Sequence, residues 1–316
     1  MRRVWVLAVL LFFAPIGRAE AADGCTFLTS DTNWSLEADC TVSASIVVPD
    51  GVTLDGNHHT IMALDPAGNF FRGGVIVTGG ASANVTNVVI TSSMLANVCQ
   101  EGPERLRAIF FDGASGVIRG NTILNVNKES SNCQEGNGIE VRNIDLSGAA
   151  TSVEISGNVV EGFQKTGIVV SGNVDATIRS NSVGASSAQR LMVANGIQAG
   201  AGTRAMIEGN TVAGNSWDGD GAAATGILIV NTAPGTVVRG NSIIGNADVG
   251  IYVMANGVRV ERNRVTDSGP DGAFDVGIGN YGDNNVFDGN SVTGFGIRYQ
   301  NVPEPETSRS IVAGLQ

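Results

Sequence analysis

Two short apolar phrases alternate along most of the chain, and each of them occurs seven times. In the first phrase an apolar residue stands three positions before an Asn and another stands two positions after it. The Asn residues of the seven copies, 22 to 37 positions apart, are Asn121, Asn158, Asn181, Asn210, Asn241, Asn263 and Asn290. The second phrase reads Gly-Ile and starts at positions 138, 167, 196, 226, 250, 277 and 296. Short alternating strands that recur in this way are typical of a solenoid, in which each coil packs on its neighbours.

The aligned copies of the first phrase predict which side chains face inward. The two positions that flank Asn are apolar in all seven copies, so we expect them to stack into a core. Asn itself is expected at a bend, with left-handed backbone and a hydrogen bond to the Asn of the next coil. Because the loops are unequal and no hexapeptide period exists, the pattern favours an all-β fold, a single-stranded right-handed parallel β-helix of about nine coils.

One segment near the start of the repeats carries a family resemblance. Residues 54–61, Leu-Asp-Gly-Asn-His-His-Thr-Ile, resemble the opening coil of right-handed β-helix proteins of the pectin-lyase-like superfamily. The resemblance extends to about residue 300 and implies one β-helix domain over 51–300, with residues 22–50 as an N-terminal cap over the open end. That superfamily contains lyases, hydrolases, epimerases, phage adhesins and surface proteins without activity, so the resemblance implies the fold and leaves the activity open.

Both ends of the chain look like sorting signals. Residues 1–21 begin with two Arg, continue with an apolar run and end in small residues, which predicts a secretory signal peptide. The tail, 301–316, contains Val-Pro-Glu-Pro and resembles the start of the bacterial PEP-CTERM sorting signal. The apolar helix and Arg cluster of that signal do not follow, so a truncated signal and a chance match both stay open. We expect a bacterial protein that is secreted, extracellular or on the cell surface.

The net charge of the chain indicates which classes of partner it is suited to bind. The formal net charge is −11, and removal of residues 1–21 would leave −13. This acidity argues against nucleic acid, which requires a basic footprint on the protein. No apolar run after the signal peptide is long enough to cross a bilayer, so we expect no membrane span in the mature chain. A polysaccharide or a cell-surface glycan is the partner that we expect.

The four cysteines are expected to pair, as is usual in an exported chain. Cys99 and Cys133 both open the tetrapeptide Cys-Gln-Glu-Gly, so we place them at equivalent positions of neighbouring coils. Such positions lie roughly 4.8 Å apart, within the reach of a disulfide. The predicted pairs are therefore Cys99–Cys133 and Cys25–Cys40.

The repeated tetrapeptide also predicts a candidate catalytic group. It places Glu101 and Glu135 side by side, with Lys165 as a charge partner on the next coil and Arg142 on the outer face. Two carboxylates with a neighbouring cation are the equipment of uronic acid elimination or glycoside hydrolysis. The alternative is a loop held by a disulfide, with solvated glutamates.

Two further sets of residues complete the predicted sites. Substrate binding is assigned to outward positions that would line a shallow groove and to one aromatic loop residue, namely Phe110, Glu140, Tyr252 and Trp217. A calcium site is assigned to the carboxylates of Asp218, Asp220, Asp248, Asp271 and Asp275. The alternative for these aspartates is a set of solvated turns. No cofactor other than calcium is expected.

Motifs do not specify a reaction. The chain lacks His-Glu-x-x-His and Gly-x-Ser-x-Gly, and it lacks the Gly-His-Gly and Arg-Ile-Lys expected of polygalacturonase-like members. The prediction is therefore a secreted β-helix protein that binds or acts on a polysaccharide, as a lyase, a hydrolase or an epimerase. The alternative is a structural or adhesive cell-surface protein without enzymatic activity.

Overall fold

The chain winds into a three-sided parallel β-helix. The structure is a computed structural model that describes residues 17–21, 24–99, 102–128, 133–185, 192–217, 219, 221–268 and 274–302. Each coil contributes one short strand to each of three sheets, which we call A, B and C in the order in which a coil passes through them.

Each coil consists of three strands, one for each sheet. Two strands come before the first coil: β1 (Gly17–Ala21) and β2 (Cys25–Thr29). The first five coils are β3 (Asn33–Leu36), β4 (Cys40–Val42), β5 (Ile46–Val48); β6 (Val52–Asp55), β7 (Thr60–Ala63), β8 (Gly74–Thr78); β9 (Ser82–Thr86), β10 (Val89–Ser92), β11 (Arg107–Asp112); β12 (Ser115–Arg119), β13 (Thr122–Leu124), β14 (Asn137–Asn143); and β15 (Thr151–Ser156), β16 (Val159–Phe163), β17 (Thr166–Gly172). The last five coils are β18 (Val174–Arg179), β19 (Ser182–Ala185), β20 (Asn195–Ala199); β21 (Arg204–Glu208), β22 (Thr211–Ala213), β23 (Thr225–Val230); β24 (Val237–Arg239), β25 (Ser242–Ile244), β26 (Val249–Met254); β27 (Arg259–Glu261), β28 (Arg264–Thr266), β29 (Val276–Asn280); and β30 (Val286–Asp288), β31 (Ser291–Thr293), β32 (Ile297–Gln300). One 3₁₀ turn, Gly102–Glu104, precedes β11.

The described residues form ten coils, one more than the repeats predict. The first coil, β3 to β5, lies inside residues 22–50, which were assigned from the sequence to the cap, and β3 pairs in parallel with β6. In front of it, β1, β2 and β3 pair antiparallel. Phe27 of β2 is fully buried, so this antiparallel part closes the start of the core.

Equivalent residues of successive coils are paired in register, as the aligned repeats predict. Ile118, Ile155, Ile178 and Ile207 are consecutive partners in sheet A, and all four are fully buried. The Gly of the Gly-Ile phrase is needed for close approach, because a Cβ on Gly167 would lie 2.7 Å from the carbonyl oxygen of the next Gly. The core is therefore a set of stacked aliphatic columns.

The Asn column forms a continuous ladder at the corner between sheets A and B. Asn181 donates from its backbone N and from Nδ2 to Oδ1 of Asn210, both at 2.9 Å, and Asn210 repeats the pattern onto Asn241. The expected bond between stacked Asn residues is thus present. The expected left-handed backbone at Asn is wrong. The residue before each Asn takes that conformation, with φ between 51° and 66°, and this turn directs the Asn side chain inward.

The last Gly-Ile phrase is offset from the others. Ile278 pairs with Tyr299, whereas Ile297 pairs with Val276 and is half-exposed. Tyr299 therefore occupies the inward place that the repeat assigns to Ile297. Its hydroxyl donates to Asn290 O at 2.8 Å, which satisfies the polar end of this larger side chain.

We expect Asn210→Ala to lower the free energy of unfolding by about 3 kcal/mol, because it removes the Oδ1 that accepts from Asn181 N and Nδ2 and the Nδ2 that donates to Ile178 O and Asn241 Oδ1. Asn290→Ala is the matched control, since Asn290 ends the ladder and its Nδ2 donates only to Val260 O. We expect roughly half the effect there. Denaturant titration measures both free energies. Equal effects would contradict a contribution of the Asn–Asn hydrogen bonds to stability.

Candidate functional site

The outer face of sheet C brings the predicted binding residues into one line. The outward residues pair in register from coil to coil and form a column: Phe110, Glu140, Val169, Gln198, Leu228 and Tyr252. We call this surface, with the outward residues beside it, the C face. Because β-strand residues alternate between faces, each of these side chains follows an inward Ile of the same strand.

Phe110 lies between two guanidinium groups. The Cζ atom of Arg107 is 4.2 Å from the ring centroid of Phe110, and that of Arg142 is 4.7 Å away. An aromatic ring attracts cations over its face, so each contact contributes about 0.5–2 kcal/mol depending on solvation. The ring and the two cations therefore form one ordered cluster on the C face.

Arg107 anchors the loop before β11 to sheet C. Its side chain is 1% exposed and donates to both carboxylate oxygens of Glu140, at 2.6 and 3.1 Å. It also donates to the carbonyl oxygens of Gly102, Pro103 and Arg105. All five N–H donors of this guanidinium are thus used inside the protein. Glu140, predicted to bind substrate, accepts from Arg107 and also from Asn137 Nδ2 at 2.7 Å.

Arg142 is the accessible cation of the cluster. It forms a bidentate pair with Asp112 on the preceding coil, with distances of 2.9 and 2.8 Å. The hydrogen bond to Asp112 raises the pKa of Arg142 above its ordinary value, so the guanidinium stays charged. Asp112 is more exposed than Arg142, which places a paired positive and negative charge on the surface beside Phe110.

Glu135 lies in the interior and not at the surface. Its carboxylate is 2.7 Å from Lys128 Nζ, and both side chains are fully buried. Lys128 Nζ also donates to Val98 O, which ties two successive loops together. A carboxylate in this position holds the loops and is not accessible to a polymer as an acid or a base. Glu101, its predicted partner, lies outside the described residues.

The disulfides hold the same loops. The structure joins Cys99 to Cys133 and Cys25 to Cys40, the pairs expected from the sequence, with Cα separations of 5.4 and 5.1 Å. The sulfur atoms of Cys99 and Cys133 and a carboxylate oxygen of Glu135 lie within 4.8 Å of one another. The cross-link is therefore packed directly against the Lys128–Glu135 pair.

Lys165 is half-buried next to β17. Its Nζ donates to Val193 O at 2.6 Å. Burial, with a smaller contribution from the charge of Arg105, lowers the pKa of Lys165 to about 8. Glu135 has Lys128 as its cation, so Lys165 is not its ion-pair partner.

Tyrosines occupy the far end of the C face. The rings of Tyr252 and Tyr281 meet edge to face with centroids 5.2 Å apart, and the Tyr281 hydroxyl donates to Gln300 Oε1 at 3.0 Å. Burial, and then the neighbouring Tyr281, raise the pKa of Tyr252. Trp217 is partly buried in the loop before β23, where its backbone N donates to Asp248 Oδ1.

The predicted calcium ligands are only partly described. Asp248 accepts the backbone N–H groups of Trp217 and Ala224, and Asp275 accepts that of Gly296 at 2.7 Å. These two carboxylates therefore hold loop backbone. The other predicted ligands, Asp218, Asp220 and Asp271, lie outside the described residues, so calcium binding stays a prediction.

Sequence reasoning missed the polar residues at the start of the sheet C strands. Asn137 donates to Glu140, Asn195 donates to Gln198 Oε1 at 3.0 Å, and Thr225 donates to Asn195 Oδ1 at 2.8 Å. The signal was present, because the position two before the inward Ile is Arg107, Asn137, Thr166, Asn195 and Thr225 in successive copies. These buried groups hold the outward side chains of Glu140 and Gln198 through hydrogen bonds.

A comparison with protein-family models identifies the family of the chain. A family model described as "Right handed beta helix region" matches residues 107–304, more than half of the chain. The chain belongs to the right-handed β-helix family. This confirms the fold expected from the repeats and the pectin-lyase-like type implied by the resemblance of residues 54–61. A search of curated protein sequences found no match.

Solved structures of other β-helix proteins are similar in fold. The Dettilon tailspike protein is 16% identical with a TM-score of 0.45 over 85% of this chain and 61% of that chain. A variant of the periplasmic alginate epimerase AlgG is 14% identical, with a TM-score of 0.48 over 78% and 66%. DFA-IIIase from Arthrobacter chlorophenolicus A6 in complex with DFA-III is 11% identical, with a TM-score of 0.49 over 81% and 63%. The chain thus spans under two thirds of the length of these proteins, and the likeness concerns the fold alone.

Two observations bear on location. Disulfides persist in oxidising compartments, so the two in this β-helix protein favour an extracellular or periplasmic site. Among the residues that the structure describes, no helix has the length and apolar character needed to cross a membrane.

We expect Lys128→Met to lower the free energy of unfolding by about 3–5 kcal/mol, because it leaves the Glu135 carboxylate buried without its cation. The double change Lys128→Met with Glu135→Leu should restore most of that loss, since it removes both charges. Denaturant titration of the oxidised protein checks this pair. A double variant as unstable as the single one would show that packing, and not the charge, is responsible.

We expect Lys165→Met to raise the free energy of unfolding at neutral pH, whereas Lys128→Met lowers it. Burial lowers the pKa of Lys165 to about 8 in the folded protein, against an ordinary value of 10.5. The unfolded chain therefore binds more protons between these values, and native stability rises with pH across that window. We expect the variant to exceed wild type by on the order of 1 kcal/mol at pH 7 and to lose this advantage by pH 10. An advantage independent of pH would contradict the argument.

Proposed function

We propose that the chain is an exported β-helix protein that binds an extended polysaccharide along the C face. The observation that carries this proposal is the column of six outward residues in register, from Phe110 to Tyr252. Five spacings between neighbouring strands amount to roughly 24 Å. A straight, regularly spaced column suits an extended polymer better than a compact small molecule, and its accessible side chains begin at Gln198.

The composition of the column suits a sugar chain. Aromatic rings lie at both ends, Phe110 with its flanking Arg142 and Tyr252 with Tyr281. Glu140, Val169, Gln198 and Leu228 lie between them. Phe110, Glu140 and Val169 are at most 9% exposed, so Gln198, Leu228 and Tyr252 are the accessible part of the column, where apolar contact and an oriented amide combine as is usual in a ligand site. Arg142 adds a fixed fork of donors that matches carboxylate geometry.

Binding is the function that the described contacts support best. A cleavage reaction by general acid and base needs side chains that reach the substrate. Glu135 is sealed against Lys128, and Glu140 is buried in its pair with Arg107. Lys165 and Arg142 remain as candidates for a reaction on a uronic sugar, and a lyase or hydrolase activity is the finer proposal that a product assay decides.

We expect calorimetry with a panel of uronic and neutral polysaccharides to find at least one ligand, and Arg142→Ala to weaken its binding at least tenfold. Arg204→Ala is the matched control, because Arg204 also pairs with an Asp of the preceding coil, Asp175, but on the outer side of sheet A. The control should bind like wild type. Ultraviolet absorbance for unsaturated products and reducing-end release in the same samples report lyase and hydrolase activity.

The outcomes separate the candidate functions. Binding without product supports a glycan-binding module, and binding with product supports an enzyme. Equal loss in the Arg142 and Arg204 variants would contradict the C face as the binding surface. If no polysaccharide of the panel binds, the structural or adhesive alternative replaces the proposal.

A further inference from the structure

The outer side of sheet A carries positive and negative charges in equal number. On β15, β18, β21 and β24 the outward side chains, which we call the A face, include three carboxylates and three guanidinium groups. They form three ion pairs at the surface: Glu154 with Arg179, Asp175 with Arg204, and Glu208 with Arg239. The net charge of the A face is therefore zero, whereas that of the whole chain is −11. Two copies that meet through this face do not bring like net charges into contact.

The charges beside the corner with sheet B alternate in sign along the rod. Arg179, Glu208, Arg239 and Glu261 pair in register on successive strands, so the sign changes at every coil. In a symmetric dimer the same patch of each copy meets itself. For two antiparallel copies, a dimer axis through the middle of β21 would place Arg179 against Arg239. An axis between two strands places opposite signs against each other.

An axis between β18 and β21 matches the remaining ion pair as well. It places Arg179 against Glu208 of the second copy and Asp175 against Arg204 of the second copy, and symmetry makes each contact occur twice. Within the chain, Asp175 and Arg204 are 3.4 Å apart, and their side chains are 49% and 62% exposed. A carboxylate and a guanidinium each bond several partners, so this loose pair has capacity for a second partner.

The same axis matches a protruding side chain with a depression. Met206 is 37% exposed on the A face. Beside it lies a depression of about 310 Å³ over the small side chains of Ala176 and Ala205. Thr177 pairs with Met206 in register, so the axis brings Met206 of the second copy over Thr177 and the depression. A flexible thioether is suited to fill such an irregular gap.

An apolar loop lies at the same level of the rod. Residues 144–150 connect β14 to β15 at the corner between sheets C and A, and Asn143 and Asn173 donate to their backbone. Leu146 of this loop is 71% exposed. A Cβ on Gly202, in the connection from β20 to β21, would lie 3.5 Å from Leu146 Cδ2, so Leu146 reaches the level of the axis. An exposed aliphatic side chain there extends the apolar part of the contact.

We propose that the A face joins two copies of this chain in an antiparallel symmetric dimer whose axis runs between β18 and β21. The six strands of sheet A from β12 to β27 cover roughly 30 Å along the rod and 16 Å across it. Two copies therefore bury on the order of 1,000 Å² in total, the lower limit for a specific interface, which predicts a reversible dimer. The C face lies on another side of the β-helix and stays open.

Sedimentation equilibrium of the whole oxidised protein, without a glycan, measures the dissociation constant of the dimer. We expect wild type to associate in the micromolar range. Arg204→Glu and Asp175→Arg should each weaken association at least tenfold, because each brings like charges together twice across the axis. An equimolar mixture of the two variants should regain wild-type association within about threefold, because Asp175 of one variant meets Arg204 of the other and the introduced charges also attract each other.

Arg264→Glu is the matched control, because Arg264 is also outward and exposed but lies on sheet B. It should associate like wild type. Recovery in the mixture separates the interface from a loss of structure, since two misfolded variants cannot complement each other. Wild type that stays monomeric throughout the micromolar range overturns the dimer. Unchanged association in both single variants, or a mixture as weak as either one, overturns the A face as the interface. None of these results involves a glycan, so they leave the proposed function untouched.

Discussion

The Asn ladder is the interaction on which the rest of the structure depends. Each buried Asn accepts from the previous coil through Oδ1 and donates through Nδ2 to both neighbouring coils, as Asn210 does to Asn241 Oδ1 and Ile178 O. Buried amides must be paired, and each one here is satisfied only if the neighbouring coil is in register. A slip of one residue would break the ladder and turn every aliphatic column outward at the same time. The ladder therefore specifies register more strongly than the apolar columns do alone.

Register set at one corner frees the rest of the coil to vary. Successive Asn residues are 22 to 37 positions apart, and most of that variation falls in the connections between sheets B and C. Those connections carry the groups that surround the C face, including Arg105, Lys128 and Lys165. Pairs such as Arg107 with Glu140, 33 positions apart in sequence, meet because the ladder places their strands side by side. A rigid corner thus positions variable loops, which is how many scaffolds present binding residues.

The repeats made most of the fold predictable, and the exceptions have physical causes. The first coil was missed because β3 to β5 lack both the Asn and the Gly-Ile phrase, so only the strand pairing identifies it. The backbone of Asn was mispredicted because the preceding residue, usually Gly, supplies the left-handed turn. At the site, the columns placed Phe110, Glu140 and Tyr252 on one face. They did not show that Lys128 seals Glu135, because a loop side chain has no repeat to predict its direction.

The distribution of charge separates scaffold from binding surface. Pairs such as Lys128 with Glu135 are fully buried, and each charge compensates the other. Such pairs contribute little net stability compared with apolar residues, but removing one partner is costly, so they constrain loop position. The whole molecule is acidic, and its distant field repels a polyanion. That field is largely screened beyond about 10 Å at 0.1 M salt, whereas cations that are half-buried at the contact are screened much less. Cations at the surface of this protein therefore act over short distances, as Arg142 does on Asp112 and Phe110.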